Sequence, residues 1–154
     1  MSENQLILLV GISGAGKSTF ADKYLAEHPD VKYLSSDKIR GILGTSEDDQ
    51  TVTPQVFGLI KRNLDEYLKA GKSVMIDATS LNAKERKDYL IAASKYNVDA
   101  IAYVFERTRD QLIKNQEKRK ANGGRRVPDE ILDRMLNKYK RPTHSEGFKE
   151  ILFV

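Results

Sequence analysis

The chain has 154 residues, 40% of them hydrophobic and 31% charged, the balance of one soluble globular domain with a single buried core. It contains no cysteine, which excludes a disulfide framework and any Cys-ligated metal. No apolar run is long enough for a membrane span or a signal segment, so a cytoplasmic protein without membrane contact is expected. The net charge of +4 conceals an asymmetry: Arg107 to Arg141 holds twelve Lys or Arg against five Asp or Glu, and the remainder fourteen against seventeen. A concentrated basic segment of this kind suits a polyanion such as nucleotide phosphates or a nucleic acid backbone.

In chain order, the apolar run Leu6–Val10 leads into Gly11-Ile-Ser-Gly-Ala-Gly-Lys-Ser18, the phosphate-binding pattern G-x-x-x-x-G-K-S/T between a strand and a helix. Its glycines let backbone N–H groups close around phosphate oxygens, and the following helix, Lys17 to about Glu27, aims its positive dipole end at the same anion. Lys17 reaches the outer phosphates and the Ser18 hydroxyl completes a Mg²⁺ site. The spacing therefore predicts nucleoside triphosphate binding. Further apolar runs at Val31–Leu34, Val74–Ile76, Ala100–Phe105 and Ile151–Val154 suit strands buried on both faces of a parallel sheet.

Between the runs lie the expected helices. One opens at Thr53-Pro54, carries Phe57, Ile60, Leu64, Tyr67 and Leu68 on one stripe, and closes at Gly71. Asn82 with Glu85 three residues on resembles a capping box ahead of a helix to about Tyr96. A basic helix follows around Lys114–Arg119, and Pro128 begins a last one whose apolar face is Ile131, Leu132, Met135, Leu136 and Tyr139, read as core. Gly44 to Gln50 reads as a surface loop and Ala121 to Arg126 as a hinge or lid tip. Alternating strands and helices predict an α/β fold: a doubly wound parallel sheet of about five strands flanked by helices, with ligands at the carboxyl ends of the strands. The whole chain, 1–154, reads as a single domain.

Acids at strand ends are then the candidate chemistry. Asp77 ends Val74-Met-Ile in a Walker B arrangement and would help Ser18 hold magnesium. In Ser36-Asp37-Lys-Ile-Arg40, Asp37 and Arg40 stand three apart on one face of a helical turn. An Asp beside phosphates accepts the proton of an attacking hydroxyl, and an Arg offers a planar fork to a substrate phosphate. Lys114 and Lys118 share a helix face with Arg119 beside them; spacing leaves open which of Lys118, Arg119, Arg125 and Arg126 offsets charge on a transferring phosphoryl group. His28 and His144 lack partner motifs and read as local structural residues.

Together the phosphate loop through Thr19, Ser36-Asp37-Lys-Ile-Arg40, Asp77-Ala-Thr-Ser-Leu-Asn82, the basic helix Lys114–Arg119, Val127–Met135 and Glu146-Gly-Phe148 resemble the kinase domain of phage and bacterial 5′-polynucleotide kinases, within the small P-loop kinases. The resemblance implies ATP- and Mg²⁺-dependent transfer of a phosphoryl group to 5′-hydroxyl ends of DNA or RNA, in the host cytoplasm if the protein is phage-encoded. It implies an ATP site of Gly11, Ser13, Gly14, Ala15, Gly16, Lys17, Ser18 and Thr19 with Arg125, and a magnesium pair of Ser18 and Asp77. It further implies Asp37 as base, Lys17 with Lys118 or Arg119 as catalytic cations, a lid at about 107–127, and Arg40, Asp77, Thr79 and Asn82 facing the acceptor. With no phosphatase domain attached, a stand-alone kinase without 3′-end processing is expected. A kinase of a small acceptor such as a nucleoside or sugar, and an ATP-binding module without turnover, are the alternatives.

Overall fold

Sheet and helices follow from two periodicities. In the computed structural model, which describes residues 4–44, 50–124 and 126–154, five parallel strands form one sheet in the order β2-β3-β1-β4-β5. They are β1 (Gln5–Gly11), β2 (Lys32–Ser35), β3 (Val74–Asp77), β4 (Asp99–Phe105) and β5 (Glu150–Phe153). The central strand β1 alternates its side chains between two cores. Leu6, Leu8 and Val10 meet one helical layer, whereas Ile7 and Leu9 meet the other. The helices are α1 (Lys17–Glu27), α2 (Ser36–Leu43), α3 (Thr53–Lys69), α4 (Ala83–Lys95), α5 (Arg109–Ala121) and α6 (Asp129–Lys138). Helices α2, α3 and α4 cover the first core, and α1, α5 and α6 the second.

Each expected strand is present within a residue or so of its apolar run, and the doubly wound architecture stands. The last strand departs from the expectation of burial on both faces. As the sheet edge, β5 leaves Leu152, Phe153 and Val154 exposed, because no further strand or helix covers that margin among the described residues. On α3 the buried line is Val56, Ile60, Leu64 and Leu68. It is rotated from the expected stripe, so Phe57 and Tyr67 are only partly buried. The expected loop at Gly44 to Gln50 falls mostly outside the described residues, as does Arg125.

Local signals set the helix starts that matter for the site. Ser35 ends β2 and caps α2 by accepting a bond from the Lys38 N–H, so Asp37 enters the first turn of a helix directly off a strand end. Asn82 caps α4 by accepting from the Glu85 N–H at 3.0 Å, while the Glu85 carboxylate reaches past Asn82 to the Leu81 N–H. Thr108 and Gln111 make the reciprocal capping box that starts α5.

Candidate active site

The carboxyl ends of β1, β2 and β3 and the side of α5 enclose a cavity of about 550 Å³. Its wall on the β1 side is the glycine-rich loop. Gly16 takes a positive φ of 102° to start α1, and Gly14 takes 88°. At Gly14 the requirement is double, since a Cβ there would lie 2.4 Å from the Gln116 side-chain nitrogen. Lys17, almost fully buried, folds its ammonium back onto its own loop, donating to Gly11 O at 2.7 Å and Ile12 O at 3.3 Å. Burial pushes this ammonium below its ordinary pKa; the Asp77 and Asp37 charges pull it back up, and Arg119 pushes it down again.

At the end of β3, Asp77 is buried beside the first turn of α1. The Ser18 hydroxyl donates to its Oδ2 at 3.2 Å, and the Tyr33 hydroxyl donates to the same oxygen. The Ser36 hydroxyl lies 3.5 Å from the Asp77 carbonyl oxygen. A hydroxyl and a carboxylate converging beside a phosphate-binding loop are hard oxygen donors suited to Mg²⁺, which takes few protein ligands and completes its shell with phosphates and water. No group of three or more His, Cys, Asp or Glu that could hold a metal ion occurs among the described residues.

On the β2 side, α2 presents Asp37 and Arg40 to the cavity. Arg40 Nη1 donates to Asp37 Oδ1 at 3.1 Å. The arginine is buried and its Nε finds no hydrogen-bond partner among the described residues, whereas the Asp37 side chain keeps 40% of its exposure. A buried guanidinium donor without a partner is costly unless a ligand supplies an acceptor. Beyond this pair, Thr79 and Ala78 border the cavity, and Thr79 O accepts from the Gly11 N–H at 3.1 Å.

Helix α5 closes the remaining side. Asn115 donates to Gly14 O at 2.8 Å and Gln116 to Ser13 O at 2.9 Å, while Gln116 Oε1 accepts from the Val127 N–H at 2.9 Å. Arg119 Nη1 donates to the Ser13 hydroxyl at 3.2 Å, and Lys118 lines the cavity from an exposed position. The cations of this segment thus separate, apart from Arg125, which lies outside the described residues. Arg119 and Lys118 reach the site, Lys114 is absent from its lining, and Arg126 turns to Glu117 and Asp129 at 2.7 and 2.9 Å.

Of the residues expected at the site, Ser13, Gly14, Gly16, Lys17, Ser18, Thr19, Asp37, Arg40, Asp77, Thr79, Lys118 and Arg119 line one cavity. Asn82 does not, because its side-chain oxygen is committed to the α4 cap. Gly11 and the buried Ala15 form the base of the loop and are likewise not in the lining. Phe57 and Met135, read as core, instead stand in the cavity wall. Tyr33 belongs to no motif, and Asn115 and Gln116 lie inside the basic helix Lys114–Arg119 with no role of their own expected from the sequence. The one signal for Gln116 is its place four residues after the buried Leu112, where helical spacing asks for an apolar side chain.

A phosphate loop at the switch between β1 and its neighbours, faced by an acid at the end of β3 and a basic helix, is the fold of the P-loop kinases. The chain belongs to the AAA_33 family, an AAA domain, which matches residues 6–142. It is similar to transcription factor bHLH140 of Arabidopsis thaliana, 28% identical over 156 residues, covering 96% of this chain and 16% of the plant protein. Its structure resembles a chain of the Pnkp1/Rnl/Hen1 RNA repair complex, with a TM-score of 0.77, 24% identity, and coverage of 90% of this chain and 44% of that one. It also resembles a gluconokinase from Sinorhizobium meliloti 1021, with a TM-score of 0.66, 16% identity, and coverage of 100% and 83%. The structural likenesses establish the fold, and the chain spans a minor part of the plant protein and of the RNA-repair chain. No helix among the described residues is long and apolar enough to cross a membrane.

Proposed function

We propose that the protein is an ATP-dependent polynucleotide 5′-hydroxyl kinase, moving the γ-phosphoryl group of ATP to the 5′-OH of DNA or RNA. One observation carries this reading: Asp37, still partly exposed, is paired with a buried Arg40 whose Nε has no partner among the described residues, in the same cavity as the phosphate loop. A base and a guanidinium suited to a phosphate on one wall match an acceptor that carries a hydroxyl and, next to it, a phosphate. The basic surplus after Arg107 supports a polyanionic acceptor over a neutral sugar.

In this reading Asp37 accepts the proton of the 5′-hydroxyl as its oxygen attacks the γ-phosphorus. The bond from that phosphorus to the bridging oxygen breaks, and ADP leaves. Lys17 gives up its loop carbonyls for the β- and γ-phosphates, whose negative charge favours its ammonium form. Arg119, and Lys118 beside it, offset charge on the transferring group from α5, which with its flanks forms a lid over about 107–127. Arg40 takes the phosphate adjoining the terminal nucleoside, and Thr79 borders the acceptor. Ser18 and Asp77 would hold Mg²⁺, which when bound offsets charge on the β- and γ-oxygens.

The test is transfer from γ-labelled ATP to a 5′-hydroxyl oligonucleotide, a nucleoside 3′-phosphate, a plain nucleoside and gluconate, each at low and high salt. Label is expected on the first two, most salt-sensitive for the oligonucleotide because neutralised phosphates release counterions. Arg40→Ala is expected to lower kcat/KM for both by roughly 10- to 100-fold, the worth of a charged hydrogen bond. Label on gluconate or the plain nucleoside, with the oligonucleotide unlabelled, overturns the reading.

A further inference from the structure

Tyr33 lies outside every motif, yet its hydroxyl meets the Asp77 carboxylate, proposed above to hold the metal. The register explains how. On the paired strands β2 and β3, Ser35 stands opposite Asp77, and Tyr33 lies two residues before Ser35. Residues two apart on a strand share a face, so Tyr33 is the diagonal cross-strand neighbour of Asp77, a separation that only a long side chain spans. The ring is half-buried, with the Lys38 ammonium over it at 5.0 Å from its centroid. Its hydroxyl donates to Asp77 Oδ2, the oxygen that also accepts from Ser18 Oγ at 3.2 Å.

A carboxylate oxygen offers about two lone-pair sites. Two O–H donors on Oδ2 therefore fix the plane of the carboxylate and leave Oδ1 as the oxygen for any further partner. The two donors are unequal in what else they must do. Ser18 sits on the phosphate loop and serves the cation with its own oxygen. Tyr33 sits on a neighbouring strand and has no such duty.

We infer that Tyr33 is a positioning residue for the magnesium site: from β2 it holds the Asp77 carboxylate in the orientation in which Asp77 and Ser18 together receive Mg²⁺ bound to a nucleotide. The inference rests on the reading of Ser18 and Asp77 as the magnesium pair. Partners of metal-holding groups are typically worth 10- to 100-fold in metal affinity, and Tyr33 is the side chain from outside the phosphate loop that hydrogen-bonds to the Asp77 carboxylate among the described residues.

The experiment measures the dissociation constant of ADP by calorimetry, in Mg²⁺ and in EDTA, for wild type, Tyr33→Phe, Asp77→Asn and the double variant. The quantity read is the strengthening that Mg²⁺ brings. Tyr33→Phe is expected to cut that strengthening about ten-fold while leaving the EDTA constant unchanged, and to add nothing in the Asp77→Asn background. An unchanged strengthening in Tyr33→Phe, with Asp77→Asn abolishing it, overturns the role of Tyr33 and leaves the metal pair standing. Equal weakening with and without Mg²⁺ also overturns it, since that is damage to the loop. A strengthening indifferent to Asp77→Asn removes the pair and the inference together.

Discussion

The floor and the lid of the cavity are held in place by different physics. The floor, running from β3 through residues 78–82 to α4, is tied by backbone bonds at Thr79 O, Ser80 O, Leu81 N–H, Leu81 O and Asn82 O. Arg86, fully buried on α4, donates to Ser80 O at 2.8 Å, to Lys140 O at 3.0 Å and to both carboxylate oxygens of Glu146 at 2.8 and 3.2 Å. The Lys140 N–H donates to Leu81 O at 2.8 Å. Ser80 is held at a positive φ of 47° within this net, a conformation that persists only where the surroundings impose it. Helix α5, the proposed lid, buries only Leu112 and Gln116 and is joined to the phosphate loop by the side chains of Asn115, Gln116 and Arg119. Phosphoryl transfer needs both kinds of wall: one that keeps Asp77 and Thr79 in register, and one that can come and go with the nucleotide.

The contrast is sharpest at Arg86. Arg86→Gln leaves the Glu146 carboxylate without its buried partner and is expected to cost about 3–5 kcal/mol of stability, read by urea unfolding. Burial pushes the Glu146 carboxyl up, but the bonds from Arg86 and Thr143 outweigh it and hold the group below its ordinary value. Its folded pKa being depressed, its contribution is present above the unfolded value of about 4.3 and is lost as pH falls through the folded one. Glu146→Gln should therefore remove part of the acid sensitivity of stability, measured as unfolding free energy against pH.

Gln116→Ala should cost less, about 1–3 kcal/mol, because it leaves Ser13 O and Val127 N–H without their partner. Its main effect should fall on turnover, with amide exchange accelerating across α5 and not in β1 or β3. Equal acceleration in both regions would erase the distinction between floor and lid.

Nucleotide binding should take up a proton as pH rises through the lowered pKa of Lys17, because phosphates restore the charge that burial disfavours. The expected signature is an affinity that falls with rising pH and a calorimetric enthalpy that depends on the buffer's ionisation heat. The smallest effect belongs to Arg109→Ala, which removes an exposed pair with Asp133 at 48% and 47% side-chain exposure. No resolvable change in urea unfolding should follow, because solvent screens an exposed pair, and a clear loss would show that α5 is held more firmly than its contacts suggest.

The parts of this structure legible in the sequence are those encoded locally. The phosphate loop, the apolar strands and the Ser36–Arg40 turn each declare themselves within a few residues. Burial on both faces makes β1 and β3 continuous apolar runs. The same rule reads β5 as a strand but misses that it is an edge, since a strand's neighbours are not written in its own residues. Phe57 and Met135 have the spacing of core residues and partly serve as such, so periodicity hides their place in the cavity wall. Asn82 carries two legible meanings, cap and site residue, and geometry gives its oxygen to the cap. Tyr33, Arg86 and Gln116 find their partners 44, 60 and 103 positions away, where only the folded sheet brings them together.

The most direct measurement is single-turnover transfer from γ-labelled ATP to a 5′-hydroxyl oligonucleotide by the wild type and by Asp37→Asn, with nucleotide affinity measured alongside. A labelled oligonucleotide is expected from the wild type, with the rate falling about 10²- to 10⁴-fold in Asp37→Asn and nucleotide affinity unchanged. An unlabelled oligonucleotide despite bound ATP, or an undiminished rate in Asp37→Asn, would contradict the assignment of this cavity to a polynucleotide kinase with Asp37 as its base.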